Sequence, residues 1–141
     1  MSASMGRHEL RERIFKLLFR IEFNDISDMP EQVRLFFQDD DNEMSEKNAE
    51  YVEKKYEAVL AKKAELDKLI SENMEKWDIT RIGKVELSIM RLGVYEILFD
   101  DDIPVNVAMD EAIELAKEYG QDNSGAFVNA VLSKIAKGNE K

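Results

Sequence analysis

The chain contains 141 residues, of which 44% are hydrophobic and 35% charged, with six glycines, two prolines, no cysteine and a net charge of −10 at pH 7. This length and composition favour one compact, all-helical domain, and the lack of cysteine excludes disulfide bonds and thiolate metal sites. No apolar run reaches the ~20 residues that span a bilayer, so we expect a cytoplasmic protein without membrane segments, and its acidity argues against a general nucleic-acid binder.

The first predicted helix extends from Arg7 to Phe23, because apolar residues recur there every three or four positions. Its first two turns carry Arg7, Arg11 and Arg13, although the positive end of a helix dipole favours carboxylates. Five basic and three acidic side chains give residues 1–24 a net charge of +2, which leaves −12 for residues 25–141. The placement indicates a use for these arginines outside the fold, although a small local excess is also common in charge-rich chains.

Two further helices are predicted before residue 75. Pro30 fits the first turn of a short helix, and the acidic residues 39–43 after it are expected to form a solvated loop, because their spacing does not fit an EF-hand. Ser45 is a suitable N-cap for the longest helix, in which a kink or restart is expected within residues 64–67. Trp77 is expected to fill the core or to form a hinge between helical layers.

The segment Val85 to Phe99 is apolar on nearly every side, which predicts the most buried helix of the chain. Charged residues on or beside such a helix need a partner or a function. Four of them are present: Arg81, Glu86, Arg91 and Glu96. Two explanations stay equally open, namely an internal network of ion pairs or contact with a binding partner.

The last third of the chain, residues 103–136, predicts two amphipathic helices joined by a short polar turn. Asn106 is a candidate cap for the first helix, and Gly120 is expected to end it in a left-handed conformation. Asn123 or Ser124 can cap the second helix. The short connection favours helices that pack as antiparallel or steeply crossed neighbours.

Together these segments predict an all-α bundle of about seven helices in a single domain, residues 1–141, divided into helical halves of about 1–75 and 76–141. An enzyme is the least supported class, because the sequence shows no nucleophile–base pair, metal cluster or phosphate-binding glycine loop, and no cofactor is expected. His8 is the only histidine, and no nucleophile or acid is arranged with it in the sequence, so a catalytic role is not expected.

Two strings in the last third are long enough to indicate a family. Residues 107–120 read VAMDEAIELAKEYG, and Ser124 is followed by FVNAVL at residues 127–132. They resemble the signatures VAINEAVELAKxYG and SxxFVNGVL of the NusB family. Residues 85–97 are similar to another block of that family, VDRAILRLAVYEL. Departures from these signatures include Met109 and Asp110, which are near in size to the Ile and Asn that they replace, and Ala130, which adds one methyl group to the family's Gly.

The first turns of the chain also resemble this family. The string RHELRE, residues 7–12, is a thinned version of the arginine-rich opening RRRARE, in which His8 and Glu9 replace two arginines. In the NusB family this opening contacts the boxA segment of ribosomal RNA leader transcripts.

The resemblance implies a NusB-like fold and a role in transcription antitermination and rRNA transcription. NusB proteins bind boxA-type RNA together with NusE, a small-subunit ribosomal protein, in the antitermination complex of RNA polymerase, and occur as monomers or homodimers. A basic ribosomal protein would be attracted to the acidic body of the chain and bring phosphate contacts of its own. The alternative function is an acidic helical module that binds proteins without intrinsic RNA binding.

The resemblance also implies which residues contact RNA and partner. The RNA-side candidates, matched by motif position, are Arg7, His8, Arg11, Phe19, Tyr119, Asn123, Ser124 and Phe127. The candidates for partner contact are Glu86 and Arg91, and no catalytic or metal-binding residue is expected. Arg7 and Arg11 are favoured, because the fold gains little from basic residues at a helix start. The aromatic candidates could equally belong to the core, and the polar residues of the turn could be helix caps.

Overall fold

The computed structural model describes residues 5–74 and 82–139, most of which are helical. These residues contain seven α-helices and no strand, so the predicted all-α fold is confirmed. Within the same residues, no helix has both the length and the apolar character that crossing a membrane requires. The predictions for Trp77 and Arg81 lie outside the described residues.

Contacts between backbone positions divide the chain into two units, the first ending at Ala61 and the second beginning at Lys62. The first unit contains three α-helices: α1 (Arg7–Phe19), α2 (Met29–Gln38) and α3 (Glu46–Ala61). Helix α1 packs on α3, and its inward stripe is completely buried at Ile14 and Leu17. The predicted first helix thus ends four residues early, and the chain continues to Phe23 as a short 3-10 helix.

Short polar segments join the helices of the first unit. A second 3-10 helix, Ile26–Asp28, leads into α2, which has Pro30 in its first turn as predicted. A third follows α2 at Asp40–Asn42, inside the predicted acidic loop. The predicted N-cap of α3 is confirmed, because the hydroxyl of Ser45 accepts a hydrogen bond of 3.2 Å from the backbone N–H of Asn48.

The second unit is built around one buried helix. It contains four α-helices: α4 (Lys63–Glu72), α5 (Lys84–Phe99), α6 (Val105–Tyr119) and α7 (Ser124–Gly138). Helix α5 packs against the other three and is buried at every position from Leu87 to Val94, as the sequence predicts. A Cβ at Gly93 would lie 3.2 Å from Leu132 Cδ1, so the missing side chain allows the close packing of α5 on α7.

The predicted break in the longest helix is present, but it lies nearer to the N-terminus than residues 64–67. Helix α3 ends at Ala61 and α4 begins at Lys63, with the backbone of Lys62 at φ −107° and ψ 11°. The division between the units falls at the same break, whereas the sequence suggested a division near residue 75. Helix α4 packs against α5 and α7, which places it in the second unit.

Two predictions about the ends of α6 are wrong. Pro104, and not Asn106, occupies the N-cap position. Gly120 follows the helix with φ −97° and ψ −158°, which is extended and not left-handed. Glycine is nevertheless required by space, because a Cβ at this position would lie 2.6 Å from Ser124 Oγ and 2.7 Å from the carbonyl oxygen of Ala116.

Candidate functional site

The eight predicted RNA-contacting residues occur as two groups of four, one in each unit, and each group is described within its own unit. The first group lies on α1. Arg7 is exposed at the first position of the helix, and His8 and Phe19 are half-buried. Arg7 therefore has the exposure that a phosphate contact requires.

Arg11, by contrast, lacks the exposure that a phosphate contact requires. Only 3% of the residue is exposed, which does not fit the prediction that the fold gains little from Arg11. The aliphatic part of an arginine side chain can pack like an apolar residue, which explains how it is accommodated on the inner side of α1. Its proposed RNA contact has no support in this arrangement, and Arg7 is the stronger candidate of the two.

Phe19 belongs to a row of aromatic rings along α1 and the 3-10 helix that follows. Its ring centroid lies 6.0 Å from that of Phe15 and 5.0 Å from that of Phe23, the latter in an edge-to-face arrangement. Phe23 is 60% exposed, and it is not among the residues that the sequence predicts to contact RNA. The spacing of four residues between successive rings is the signal that could have indicated the row.

The second group surrounds residues 120–123, which connect α6 to α7 and are called the α6–α7 turn below. Tyr119 and Phe127 are half-buried, Asn123 is exposed and Ser124 is 3% exposed. Asn123 occupies the N-cap position of α7, but its side chain makes no capping hydrogen bond. The aromatic rings are therefore neither fully in the core nor fully in solvent.

Ser124 is the central hydrogen-bonding residue of this turn. Its hydroxyl accepts a hydrogen bond of 2.8 Å from the backbone N–H of Gln121 and donates one of 2.6 Å to the Oε1 atom of Glu86. A hydroxyl–carboxylate hydrogen bond of this length is of the strong, charge-assisted kind. Ser124 therefore ties the α6–α7 turn to the start of α5, and it is not a simple helix cap.

Glu86 is held at the third position of α5 by the helix start itself. Gly83 is the N-cap residue, and the Oε2 atom of Glu86 occupies the space that a Cβ on Gly83 would need. A carboxylate near a helix N-terminus is favoured by the helix dipole. Glu86 thus combines a helix-capping position with a hydrogen bond to the α6–α7 turn.

A pocket of about 340 Å³ lies between the start of α5 and the α6–α7 turn. Its lining residues include Phe127, Asn123 and the hydrogen-bonded pair Ser124 and Glu86. The structure thus brings together three of the predicted RNA-contacting residues and one predicted partner-contacting residue. Tyr119 lies at the end of α6 and does not line the pocket.

Arg91 does not share this location. Its guanidinium donates two hydrogen bonds to the carboxylate of Asp67, from Nε at 2.7 Å and from Nη2 at 3.0 Å. The side chain of Arg91 is 5% exposed, and Asp67 also forms an ion pair of 3.4 Å with Lys63. The sequence left two explanations open for Arg91, an internal ion pair or contact with a binding partner. The structure favours the internal ion pair, because a guanidinium this buried is not accessible to a partner.

The described residues thus form an all-α protein with a pocket lined by an aromatic residue and by hydrogen-bonding residues, which are features typical of a helical binding protein. The family model described as the NusB family matches residues 8–137. The chain therefore belongs to the NusB family, as the sequence resemblance predicted.

Similar proteins agree with this assignment over nearly the whole chain. The transcription antitermination protein NusB of Agathobacter rectalis is 48% identical over 132 residues, which cover 94% of this chain and 100% of that protein. A crystal form of T. maritima NusB superposes with a TM-score of 0.84 at 36% identity, covering 99% of this chain and 96% of the other. A crystal structure of antitermination factors NusB and NusE with dsRNA contains a chain that superposes with a TM-score of 0.77 at 28% identity, covering 96% of this chain and 100% of that chain.

Proposed function

We propose that this protein is a transcription antitermination factor that binds boxA-type RNA jointly with NusE, and that it acts by binding and not by catalysis. The observation that carries the proposal is the pocket at the α6–α7 turn, which gathers Phe127, Asn123 and the Ser124–Glu86 pair. Family membership and the related NusB–NusE structure with RNA support it.

The pocket has the chemistry that single-stranded RNA recognition uses. An unpaired base can stack on the half-exposed ring of Phe127, and the exposed amide of Asn123 can both donate and accept a hydrogen bond at a base edge. Stacking of a base on an aromatic side chain is worth about 1–3 kcal/mol. The hydrogen bond between Ser124 and Glu86 would keep the walls of the pocket in place before RNA arrives.

Charge explains why a second protein is needed. The net charge of −10 repels a polyanion, and Arg7 is the exposed cation of the predicted RNA-contacting group on α1. A basic partner such as NusE would be attracted to the acidic chain and would add phosphate contacts that this chain lacks. We therefore expect this protein alone to bind RNA weakly, and this protein together with NusE to bind it more tightly. We propose that the two act in the cytoplasm as part of the antitermination complex of RNA polymerase.

The salt dependence of RNA binding tests the role of Arg7. In a filter-binding titration with boxA RNA and NusE, Arg7→Ala should weaken binding and reduce the log–log salt slope by about 0.7, the amount expected for one single-strand phosphate contact. Arg34→Ala is the matched control, because Arg34 is also exposed but pairs with Glu31 on α2. An unchanged affinity and slope for Arg7→Ala would exclude this residue from the RNA contact.

A protein-binding module without intrinsic RNA binding is the second candidate function. The burial of Arg11 favours it, because it removes one of the two cations on which RNA binding by α1 was expected to depend. The two functions differ in one observable property. Only the antitermination factor should distinguish boxA RNA from a scrambled RNA when NusE is present.

A further inference from the structure

The second unit contains another cavity, which shares no lining residue with the pocket at the α6–α7 turn. It has a volume of about 390 Å³ and is called the α4–α5 cleft below. Its lining comes from α4, from the end of α5 and from the residue after α7: Glu65, Lys68, Leu69, Glu72, Leu98, Phe99 and Asn139. The volume falls within the ~300–1,000 Å³ that is typical of ligand pockets, and the proposed function makes no use of this cleft.

The α4–α5 cleft combines apolar and acidic residues. Leu69, Leu98 and Phe99 are half-buried, so each of them remains partly accessible to a ligand. Glu65 and Glu72 are exposed on one face of α4, because residues seven positions apart lie two helical turns from each other. The cleft therefore offers an apolar surface with a carboxylate at each end of the α4 face.

The side chain of Lys62 indicates which chemical group the cleft accepts. Its Nζ atom lies 4.3 Å from the centroid of the Phe99 ring and 3.7 Å from the Oε2 atom of Glu65. The face of an aromatic ring attracts an ammonium group, and so does a carboxylate. Two lining residues of the cleft thus already hold an alkylammonium group, and the Lys62 side chain is 41% exposed, so another ammonium can replace it.

The other carboxylate of the cleft has no partner of this kind. Within the described ranges, Glu72 forms no ion pair, and Lys68, one turn before it, pairs with neither Glu65 nor Glu72. The exposed Lys68 side chain is long and flexible, so its ammonium can remain in solvent when a ligand binds. Because the chain has a net charge of −10, it attracts cations and repels anions. The cleft therefore suits a ligand with more than one positive charge.

We propose that the α4–α5 cleft binds a linear aliphatic polyamine. One terminal ammonium replaces that of Lys62 between Phe99 and Glu65. The methylene chain packs on the apolar lining, and the other terminal ammonium pairs with Glu72. Because the two carboxylates lie about 10 Å apart along the axis of α4, an extended triamine reaches both of them and a short diamine reaches only one. The proposal does not depend on RNA binding, and the cleft contains none of the residues predicted to contact RNA or a partner.

Isothermal titration calorimetry of spermidine, a linear triamine, into the full chain tests the proposal. We expect one saturable site and an affinity roughly fivefold higher than that for the diamine putrescine, as expected for one additional exposed ion pair. Titration with Mg²⁺, a compact cation without methylene groups, controls for general attraction to an acidic protein. Binding of Mg²⁺ and spermidine with equal affinity would contradict the proposal.

Variants of the lining residues test the assignment. Glu72→Gln and Phe99→Leu should each lower the affinity for spermidine roughly threefold to fivefold. Glu114→Gln is the matched control, because Glu114 is an exposed carboxylate of α6 outside the cleft. Lys62→Met should raise the affinity by a similar factor, because the Lys62 ammonium no longer competes with the ligand. Lys117→Met removes the same charge from another pair of the i,i+3 kind and should have a smaller effect.

Three results would overturn the proposal. They are the absence of spermidine binding, equal affinities of Glu72→Gln and Glu114→Gln, and an equal gain in affinity for Lys62→Met and Lys117→Met, which would show that only the overall charge matters. A melting temperature equal to that of the wild type would show that a loss of affinity in Phe99→Leu is one of contact and not of folding. If Phe99→Leu is unfolded, the exposed Glu72 decides the outcome.

Discussion

Replacing Gly120 by alanine would insert one methyl group where α6 meets the α6–α7 turn. The added Cβ would lie 2.6 Å from the hydroxyl oxygen of Ser124 and 2.7 Å from the carbonyl oxygen of Ala116. The second atom belongs to the backbone of α6, and it accepts the hydrogen bond of 2.9 Å from the N–H of Gly120. The Ser124 Cβ would also lie 2.7 Å away, and neither this atom nor the Ala116 oxygen can be moved by rotating a side chain, so the turn itself must move.

The expected cost follows from two contributions. Forcing an extra methyl group into a closely packed site costs about 1–3 kcal/mol. Displacing Ser124 also lengthens its hydrogen bond to the Glu86 carboxylate, and a hydrogen bond to a charged group is worth about 1.5–3 kcal/mol. Because the two effects overlap, we expect a loss of roughly 3 kcal/mol in the free energy of unfolding, or roughly 10 °C in melting temperature for a chain of this size.

Thermal unfolding followed by circular dichroism measures this change, and Gly125→Ala supplies the control. A Cβ at Gly125, in the first turn of α7, would lie 3.5 Å from Lys117 Cγ and 3.7 Å from Ile113 Cγ2, which are ordinary contacts. Since alanine is favoured over glycine in a helix, this variant should match or slightly exceed the stability of the wild type. Equal melting temperatures for Gly120→Ala and Gly125→Ala would refute the close packing described for the turn.

Three further substitutions make independent predictions. Asp67→Ala should lower the free energy of unfolding by about 3 kcal/mol in urea titrations, because the buried Arg91 loses the carboxylate that accepts its two hydrogen bonds, and full stability would contradict this. Tyr56→Phe should raise stability by about 1 kcal/mol, because the Tyr56 hydroxyl is buried without a hydrogen-bond partner among the described residues, and a loss would show that it has one. Burial, and then the charge of Glu57, raise the pKa of Glu53 in the folded protein. The ionised carboxylate therefore destabilises the folded state at pH values above this raised pKa. Below the pKa of the unfolded chain, Glu53 is protonated in both states and has no such effect. Glu53→Gln should therefore raise the melting temperature at pH 7 but not at about pH 3, and an equal gain at both would contradict the argument.

The helices could be predicted from the sequence because their information is local. Apolar residues at intervals of three and four positions indicated the helices, with α3 and α4 predicted as one long helix that contains a break, and the continuous apolar character of α5 indicated its burial. The helix ends were less accurate, as the conformation of Gly120 shows. Its identity depends on the side chain of Ser124, four residues away, and no pattern of hydrophobicity reports such a contact.

The candidate site was predicted less completely, because burial and pairing depend on tertiary contacts. Arg91 pairs with Asp67, which lies 24 residues earlier, and Arg11 is buried although its position in the helix suggested exposure. By contrast, three of the candidates that the motif resemblance named, Asn123, Ser124 and Phe127, line one pocket, which the sequence did not predict. Their contact with RNA stays a prediction, and so does that of the candidates on α1.

The central claim is that the protein and NusE recognise boxA RNA together. Its most direct test is a binding titration of boxA RNA and a scrambled RNA of equal length, each with and without NusE. We expect the pair to prefer boxA RNA by about tenfold or more, and the protein alone to bind either RNA weakly because of its acidity. Equal binding of both RNAs in the presence of NusE would contradict the claim and favour a protein-binding module.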